Sequence, residues 1–256
     1  MRVIIKNTNF SVYGIKDITE LLAEVQSKFG GISDITPVEN FFRALGADDS
    51  NPIWSKIKAL YMPCLGIPTD GANALYDIIG KSNYPGNNFT IESKRGVGPT
   101  ILGSNIGSAP LPGGLDNSNL SYFLIVTQSS RQTIGSSSAD FANVGGIGNV
   151  WRSTYINVSD GTLSKAATIT GGFTTPQPLI VTSRVNSQRT VIASANVAEQ
   201  TGVEKSSNIF YLSGYDSYAD TALLAICDGI TADDIQTIMP ALQNFIRDYG
   251  IVSANT

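Results

Sequence analysis

From Pro63 onward, short apolar runs alternate with clusters of Gly, Ser, Asn and Thr, and this pattern constrains the fold more than any other feature. Runs of this kind, bounded by turn residues, predict β-strands. We predict strands in these segments: Leu120–Gln128, Asn149–Gly161, Pro178–Val197, Ser207–Tyr215 and Asp220–Gly229. Pro178–Val197 is predicted as a hairpin with Asn186 and Ser187 near its tip. The spacing of the runs is typical of a β-sandwich.

Helical spacing of apolar residues is confined to the two ends of the chain. The predicted N-terminal elements are a strand over Met1–Tyr13 and helices over Ile15–Phe29, Pro37–Gly46 and Asp48–Met62. Thr36 is predicted as the N-cap of the second helix. Near the C-terminus, Thr231 as N-cap and Gly250 as stop signal delimit one more helix, which packs through a single apolar face.

The charge of the chain and the length of its apolar runs exclude two classes of partner. Charged residues make up only 15% of the chain, the net charge is −4, and Lys and Arg form no block. Phosphate binding requires clustered Lys and Arg, so we expect no nucleic-acid partner. No apolar run reaches the roughly 18–20 residues that span a bilayer, so we expect no membrane insertion. The N-terminal segment lacks the cleavage site of a signal peptide, which predicts synthesis in the cytoplasm.

His is absent from the sequence, and there are only two Cys. The absence of His excludes Ser-His-Asp and Cys-His nucleophile systems and His metal sites. Two Cys are too few for a zinc or iron–sulfur site, so we predict no metal and no cofactor. Cys64 and Cys227 each lie in an apolar run, which favours two buried free thiols over one disulfide.

The acidic residues bear on whether the chain cleaves sugars. Glycoside hydrolysis requires two carboxylates flanking the bond, and alternate residues of one strand can supply them. No such run occurs, and Glu92, Glu199 and Glu204 are isolated from other acids. We therefore expect no catalytic residues and a chain that is not an enzyme; carboxylates meeting from distant strands are left open. The Gly-x-Gly pattern in Val144–Trp151 precedes a strand, which favours a loop or bulge over a dinucleotide site.

Two segments, Lys81–Phe89 and Gly214–Thr221, combine aromatic, amide and carboxylate side chains. These groups stack on sugar rings and hydrogen-bond to sugar hydroxyls. The candidate glycan-binding residues are Tyr84, Asn87, Asn88, Tyr215, Asp216 and Tyr218. A calcium site in the same segments is left open. The alternative is that Pro-Gly and Asn-Asn are present only because they form turns.

The stretch around Trp54 and the last part of the chain resemble a known family. The matching residues are Trp54, Lys56, Tyr61 and Pro63, then Cys227, Asp228, Gly229, Ile230 and Thr231, then Tyr249 and Gly250. With these residues the chain resembles the concanavalin A-like, laminin-G-type domain of bacteriophage virion proteins. The resemblance covers Asn51–Gly250. It implies a mainly β fold, a concanavalin A-like jelly-roll sandwich with a small helical N-terminal region and a packing helix near the C-terminus.

The resemblance also implies a function. It indicates a non-enzymatic structural protein of the phage virion, a head or tail fibre or capsid decoration, whose sandwich faces outward and adheres to host-surface glycans. Expected partners are other virion proteins and further copies of the chain. We assign residues 1–50, a strand plus helices, to virion attachment or oligomerisation, and residues 51–256 to the sandwich. The alternative left open is a lectin-like, glycan-binding module of a bacterial surface protein.

Overall fold

A computed structural model provides the structure of the chain. It describes residues 17–70, 74–85, 89–99, 108–110, 119–129, 131–136, 145–151, 155–160, 167–170, 179–185, 188–193, 196–201, 209–211 and 219–252. The predicted strand over Met1–Tyr13 lies outside these residues. Within the described segments, no helix has both the length and the apolar character that crossing a membrane requires.

The described helices are α1 (Ile18–Lys28), α2 (Thr36–Ala44), α3 (Ile53–Lys56) and α4 (Ala232–Tyr249), with a 3-10 turn at Pro63–Leu65. The described strands are β1 (Ile57–Tyr61), β2 (Ala74–Asp77), β3 (Ser82–Pro85), β4 (Phe89–Glu92), β5 (Gly96–Pro99), β6 (Ser108–Pro110), β7 (Leu120–Ser129), β8 (Arg131–Ser136), β9 (Gly145–Trp151), β10 (Tyr155–Asp160), β11 (Ala167–Thr170), β12 (Leu179–Val185), β13 (Gln188–Ala193), β14 (Asn196–Thr201), β15 (Ile209–Tyr211) and β16 (Ala219–Asp228).

The strands form two antiparallel sheets. The larger, ten-stranded sheet has the order β14-β13-β12-β7-β16-β1-β2-β3, and β4 and β5 join it where β5 pairs with β16. The smaller sheet has the order β11-β10-β9-β8-β15-β6. Strands β7 and β16 form the centre of the larger sheet and pair along their whole length, from Leu120 opposite Asp228 to Ser129 opposite Ala219.

Both faces of these central strands are buried. Phe123 on β7 and Leu223 on β16 belong to one core with the apolar faces of α1, α2 and α4. Leu124 and Leu224 point to the opposite face, because side chains alternate along a strand, and they are buried as well. Burying each such side chain stabilises the folded state by about 1.5–3 kcal/mol. Since one of the two faces shares its core with α1, α2 and α4, a helix layer covers that face of the larger sheet.

Aromatic rings connect the helices with each other and with the start of the sheet. Phe41 stacks on Phe245 of α4, with ring centroids 4.9 Å apart. Phe42 packs against Trp54 of α3 at 5.0 Å. These contacts join residues on both sides of the predicted boundary near residue 50. The division into domains stays a prediction, which one of the variants in the Discussion tests.

The third predicted helix is wrong over most of its length. A helix was expected over Asp48–Met62, but α3 ends at Lys56 and the chain continues as β1. Strand β1 pairs with β16, where Tyr61 lies opposite Leu224. A strand that is buried on both faces is nearly continuously apolar, and such a run also matches one face of a helix. Pairing in the sheet decided between the two.

Of two smaller predictions, one is wrong and one is corrected in part. Thr36 is the first residue of α2 and not its cap; its backbone N–H donates to Oδ1 of Asp34 at 2.9 Å. The glycines of Val144–Trp151 were expected in a loop or bulge; the segment contributes strand β9, so the loop is wrong. A register shift in the β9–β10 pair near Gly148 is consistent with the bulge. Backbone pairing overrides the weak strand preference of Gly.

The predicted fold class is confirmed: the described chain is a mainly β sandwich with helices before it and a packing helix near the C-terminus. The Pro178–Val197 segment forms the predicted hairpin of β12 and β13. The helix α4 begins with Thr231 in a capping box with Asp234 and ends at Gly250, whose φ is +75°. These local signals are strong because capping and left-handed stop residues act within one helical turn.

Candidate functional site

Three strands begin or end at one end of the larger sheet, which we call the loop end. Strand β3 ends there at Pro85, β4 begins there at Phe89 and β16 begins there at Ala219. The two segments predicted to bind a glycan lead away from these strands. The sequence predicts loops for both segments, but Ser82–Pro85 of the first segment forms strand β3, because it pairs with β2. The strand order brings the points of attachment of the two segments together.

The strand register establishes this proximity for β4 and β16. Phe89 lies opposite Pro99 in the β4–β5 pair. Val97 lies opposite Thr221 in the β5–β16 pair. Continuing this antiparallel register places Pro99 near Ala219, apart from the irregularity of β16 at Asp220 and Thr221. The starts of β4 and β16 are therefore two strand spacings apart, about 10 Å.

The end of β3 lies at the same level of the sheet. Tyr61 is opposite Leu224 on one side and opposite Asp77 on the other. Three residues before Asp77, Ala74 lies opposite Pro85. Counting along the strands from Leu224 therefore places Pro85 level with the first residues of β16.

Among the predicted glycan-binding residues, Tyr84 is the one within the described part of the chain. It lies on β3, opposite Leu75, and is half-buried. Its ring packs edge-on against the ring of Tyr61 at 5.9 Å, and its hydroxyl bonds to Oγ of Ser82 at 3.2 Å. One side of the ring is therefore held by the protein, and the residue as a whole keeps part of its surface exposed.

The other predicted residues lie outside the described residues. They are Asn87, Asn88, Tyr215, Asp216 and Tyr218. Their role in binding a glycan stays a prediction, and so does that of Tyr84. What the structure adds is that the strands on which both segments depend share one end of the sheet.

The opposite face of β3 is tied to the helix layer. Nδ2 of Asn83 donates to Oδ2 of Asp70 at 2.9 Å, and Nζ of Lys28 on α1 pairs with the same oxygen at 2.5 Å. Nζ of Lys28 also lies 4.5 Å from the centre of the Tyr76 ring. A cation over an aromatic face is attracted by the ring quadrupole. These contacts fix the β2–β3 hairpin against α1.

A second polar connection runs beside the first. The hydroxyl of Tyr76 donates to Oε1 of Glu24 at 2.9 Å, and Nζ of Lys81 pairs with Oε2 of Glu24 at 3.3 Å. Burial raises the pKa of Tyr76, and the hydrogen bond to Glu24 raises it further. The phenol therefore stays protonated and remains a donor at neutral pH.

Asp77 is a buried carboxylate that supports the hairpin from inside. Its Oδ1 accepts hydrogen bonds from the backbone N–H groups of Leu60 and Ile79, both at 3.0 Å. Burial raises the pKa of Asp77, while hydrogen bonds from Leu60, Gly80 and Ile79 partly oppose this effect. The carboxylate thus organises the turn between β2 and β3 and connects it to Leu60 on β1.

We expect Asp77→Asn to change how stability depends on pH. A folded pKa above the unfolded value, near 3.8, means that the folded state holds more protons than the unfolded state at pH values between the two. The wild-type free energy of unfolding should therefore fall, relative to that of Asp77→Asn, as pH rises from 3.8 through the folded pKa. Urea unfolding of both proteins across this interval measures the difference.

Asp34 provides a control of opposite sign. Hydrogen bonds from Thr36 lower the pKa of Asp34. The wild-type free energy of unfolding should therefore rise slightly, relative to that of Asp34→Asn, as pH rises toward 3.8. If the free energy of unfolding of the wild type, relative to that of Asp77→Asn, stays constant or grows as pH rises, the raised pKa of Asp77 is contradicted.

The described residues suggest no metal or redox centre. They contain no group of three or more His, Cys, Asp or Glu side chains that could hold a metal ion. Cys64 and Cys227 are free and buried, as predicted. Burial raises the pKa of both thiols, which leaves them protonated and unreactive. The expected absence of a cofactor stays a prediction for the chain as a whole.

Sequence reasoning missed two residues that hold the β2–β3 hairpin in place. Asp77 lies between an apolar run and Ile-Ile-Gly. One charged residue within an apolar strand was the only feature of the sequence that could have indicated a buried carboxylate there. Asp70 was not singled out, and its partners Lys28 and Asn83 are far away in the sequence. Hydrogen bonds between distant segments leave no periodic trace in a sequence.

No family profile and no curated protein matches the chain. Among solved structures it is similar to a Trypanosoma rangeli sialidase in complex with sialic acid, at 12% identity and a TM-score of 0.57, over 85% of this chain and 40% of the sialidase. A second structure, Trypanosoma rangeli sialidase in complex with 2,3-difluorosialic acid (covalent intermediate), matches at 11% identity and a TM-score of 0.55. The match covers 76% of this chain and 33% of the sialidase.

A third solved structure matches more weakly. The Ca²⁺/Man-bound exoplasmic/lumenal domain of VIP36 has 13% identity and a TM-score of 0.33, over 60% of this chain and 87% of that domain. The chain spans a third to two fifths of the length of the sialidase chains, at 33% and 40%. These identities show a shared fold alone. The resemblance stated above is thus supported as far as the β-sandwich, and its assignment to phage virions stays a prediction.

The prediction that the chain is not an enzyme is corrected by these neighbours. Sialidases are enzymes, and this chain shares its fold with them at TM-scores of 0.55 and 0.57. The absence of His and of a carboxylate run excludes particular mechanisms, but it does not separate this fold from enzymes. Catalytic side chains are assembled from distant segments, and a search for runs in the sequence does not detect them.

Proposed function

We propose that the chain is a carbohydrate-binding β-sandwich module. The observation that carries the proposal is the likeness of 85% of the chain to a sialidase whose structure holds sialic acid. Because one fold hosts many functions, the proposal needs support from the residues themselves. That support is the loop end, where Tyr84 is half-buried and the two predicted glycan-binding segments attach.

We place the sugar at the loop end and not on a face of the larger sheet. A sugar stacks on an exposed aromatic ring. The aromatic residues of the central strands, Tyr122 and Phe123, are fully buried. The helix layer covers the face to which Phe123 belongs. A site at the loop end that includes Tyr84 is compatible with this burial. The other residues predicted from the sequence to take part are Asn87, Asn88, Tyr215, Asp216 and Tyr218.

We further propose that this module belongs to a phage virion protein. The support is the resemblance carried by Trp54, Tyr61 and Pro63 and by residues 227–231, together with the low charge of the chain. In this proposal residues 1–50 attach the module to other virion proteins and the loop end faces the host. Light scattering on the purified chain tests the homo-oligomer that such a part requires; a monomer at all concentrations would contradict it.

The experiment for the sugar is a glycan array with sialylated and neutral glycans, followed by calorimetric titration of the best ligand. The variants are Tyr84→Ala and Tyr218→Ala. Loss of a stacking ring should weaken binding about tenfold, because such contacts contribute roughly 0.5–1.5 kcal/mol beyond buried area. The same samples are assayed for release of free sugar, since the fold occurs in sialidases.

The matched control is Asn244→Ala, on the exposed face of α4 in the helix layer. It should bind the ligand like the wild type. A chain that binds no glycan on the array would contradict the proposed function. Binding that Tyr84→Ala and Tyr218→Ala leave unchanged, in proteins with normal circular dichroism, would retain the function but exclude the loop end.

A further inference from the structure

Two arginines occupy directly opposite positions on the hairpin of β12 and β13. Arg184 is the register partner of Arg189, so both positions lie on one face of the sheet, with Cα atoms about 5 Å apart. We call these two residues the arginine pair. Like charges directly opposite each other on neighbouring strands destabilise a sheet. The pair is therefore stabilised by a nearby negative charge, supplied by the chain itself or by a ligand.

The arginine pair lies on the face opposite the helix layer. Val181, three residues before Arg184, belongs to the core that β12 shares with α1, α2 and α4. Because successive residues of a strand alternate between its faces, Arg184 is placed on the other side. On the described strands β12, β13 and β14, the nearest positions on this face are uncharged; they are Thr182, Val191 and Gln200.

The nearest acidic residue in the same row of the sheet is two strands away. Continuing the register of β12 with β7 places Arg184 level with Leu120, which lies opposite Asp228 on β16. Two strand spacings, about 10 Å, therefore separate Arg184 from Asp228. Oδ1 of Asp228 is buried and has no hydrogen-bond partner in the described part of the chain. No described contact makes Asp228 the counter-charge of the arginine pair.

We propose that Arg184 and Arg189 form a binding site for an oxyanion, which is the carboxylate, sulfate or phosphate group of a ligand. A guanidinium group presents its donors in a planar fork that matches two oxygens of such a group. One oxyanion bound by both forks replaces the repulsion within the arginine pair by two attractions. A nucleic acid does not fit, because the chain has no block of Lys and Arg to bind successive phosphates.

The oxyanion site and the loop end lie at opposite ends of the larger sheet. Asp228, in the row of the arginine pair, is the last residue of β16, and Ala219 at the loop end is the first. The strand has ten residues, which at about 3.3 Å per residue separate its ends by roughly 30 Å. A ligand at the loop end therefore leaves the oxyanion site free, and this inference does not depend on the proposed sugar site.

The test is calorimetric titration of the full chain with inorganic phosphate, sulfate and glucuronate, at a low and constant ionic strength. At least one anion should bind saturably to the wild type, and the anion that binds best identifies the group. Arg184→Gln and Arg189→Gln should each weaken this binding about tenfold, because each removes charge-assisted hydrogen bonds. Absence of saturable binding for all three anions, or binding that both variants leave unchanged, would overturn the proposal.

Arg43→Gln is the matched control. It removes one positive charge from the exposed side of α2, and it should bind the anion like the wild type. Equal weakening in Arg43→Gln and Arg184→Gln would overturn the proposal, since it would show an effect of net charge alone.

Thermal unfolding without the anion gives a second readout. At low ionic strength Arg184→Gln should melt at the same temperature as the wild type or higher, because the repulsion within the pair is removed. The contrary result is a lower melting temperature in both Arg184→Gln and Asp228→Asn, with no further loss when the two are combined. It would show that Asp228 already neutralises the arginine pair, and the proposal would be wrong.

Discussion

Gly96→Ala is expected to destabilise the protein by ~4 kcal/mol or more, which is exceptional for one methyl group. Gly96 has a φ of +121°, a backbone conformation that residues other than glycine rarely adopt. A Cβ there would lie 2.2 Å from the backbone oxygen of Thr221 and 2.7 Å from Cα of Ala222. Both atoms belong to the buried central strand β16, so neither can move away. Urea unfolding measures the loss.

Gly229→Ala is the matched control. Gly229 also has a positive φ, +70°, but a Cβ there would meet nothing within 4 Å. It should cost only the conformational strain, about 1–2 kcal/mol. The excess loss in Gly96→Ala then measures the clash with β16. Equal losses in the two variants would mean that β5 is not pressed against β16, and the register that defines the loop end would be wrong.

Phe42→Ala is expected to cost about 3–5 kcal/mol, the range for removing a large aromatic side chain from a core. Phe42 is fully buried on α2 and packs against Trp54 and Phe41. Because the contact with Trp54 crosses the predicted boundary near residue 50, we expect one unfolding transition shifted as a whole. Circular dichroism of the β-structure and Trp fluorescence should report the same midpoint.

Asn40→Ala on the exposed side of α2 is the control and should change stability by less than about 0.5 kcal/mol. If residues 1–50 fold as a separate domain, Phe42→Ala would shift only a minor transition. The β-sheet signal would then keep its wild-type midpoint. That outcome would support the domain division predicted from the sequence and exclude a shared core.

The loop end illustrates what sequence patterns can and cannot predict about a site. Tyr84 and the neighbouring Asn residues were found because their side chains suit sugars, a property of the residues themselves. That β3, β4 and β16 share one end of the sheet depends on pairs such as Val97 with Thr221, more than a hundred residues apart. No short window contains both members of such a pair. The carboxylate of Asp77 was missed for the same reason.

The sequence by itself determined the mainly β fold, the hairpin of β12 and β13 and the limits of α4, because turn residues, alternation and caps act over a few neighbouring residues. Only the tertiary structure decided that the segment after Lys56 is a strand and that a helix layer buries one face of the sheet. An apolar run satisfies helix and strand equally, and its partner in the folded chain selects one of them.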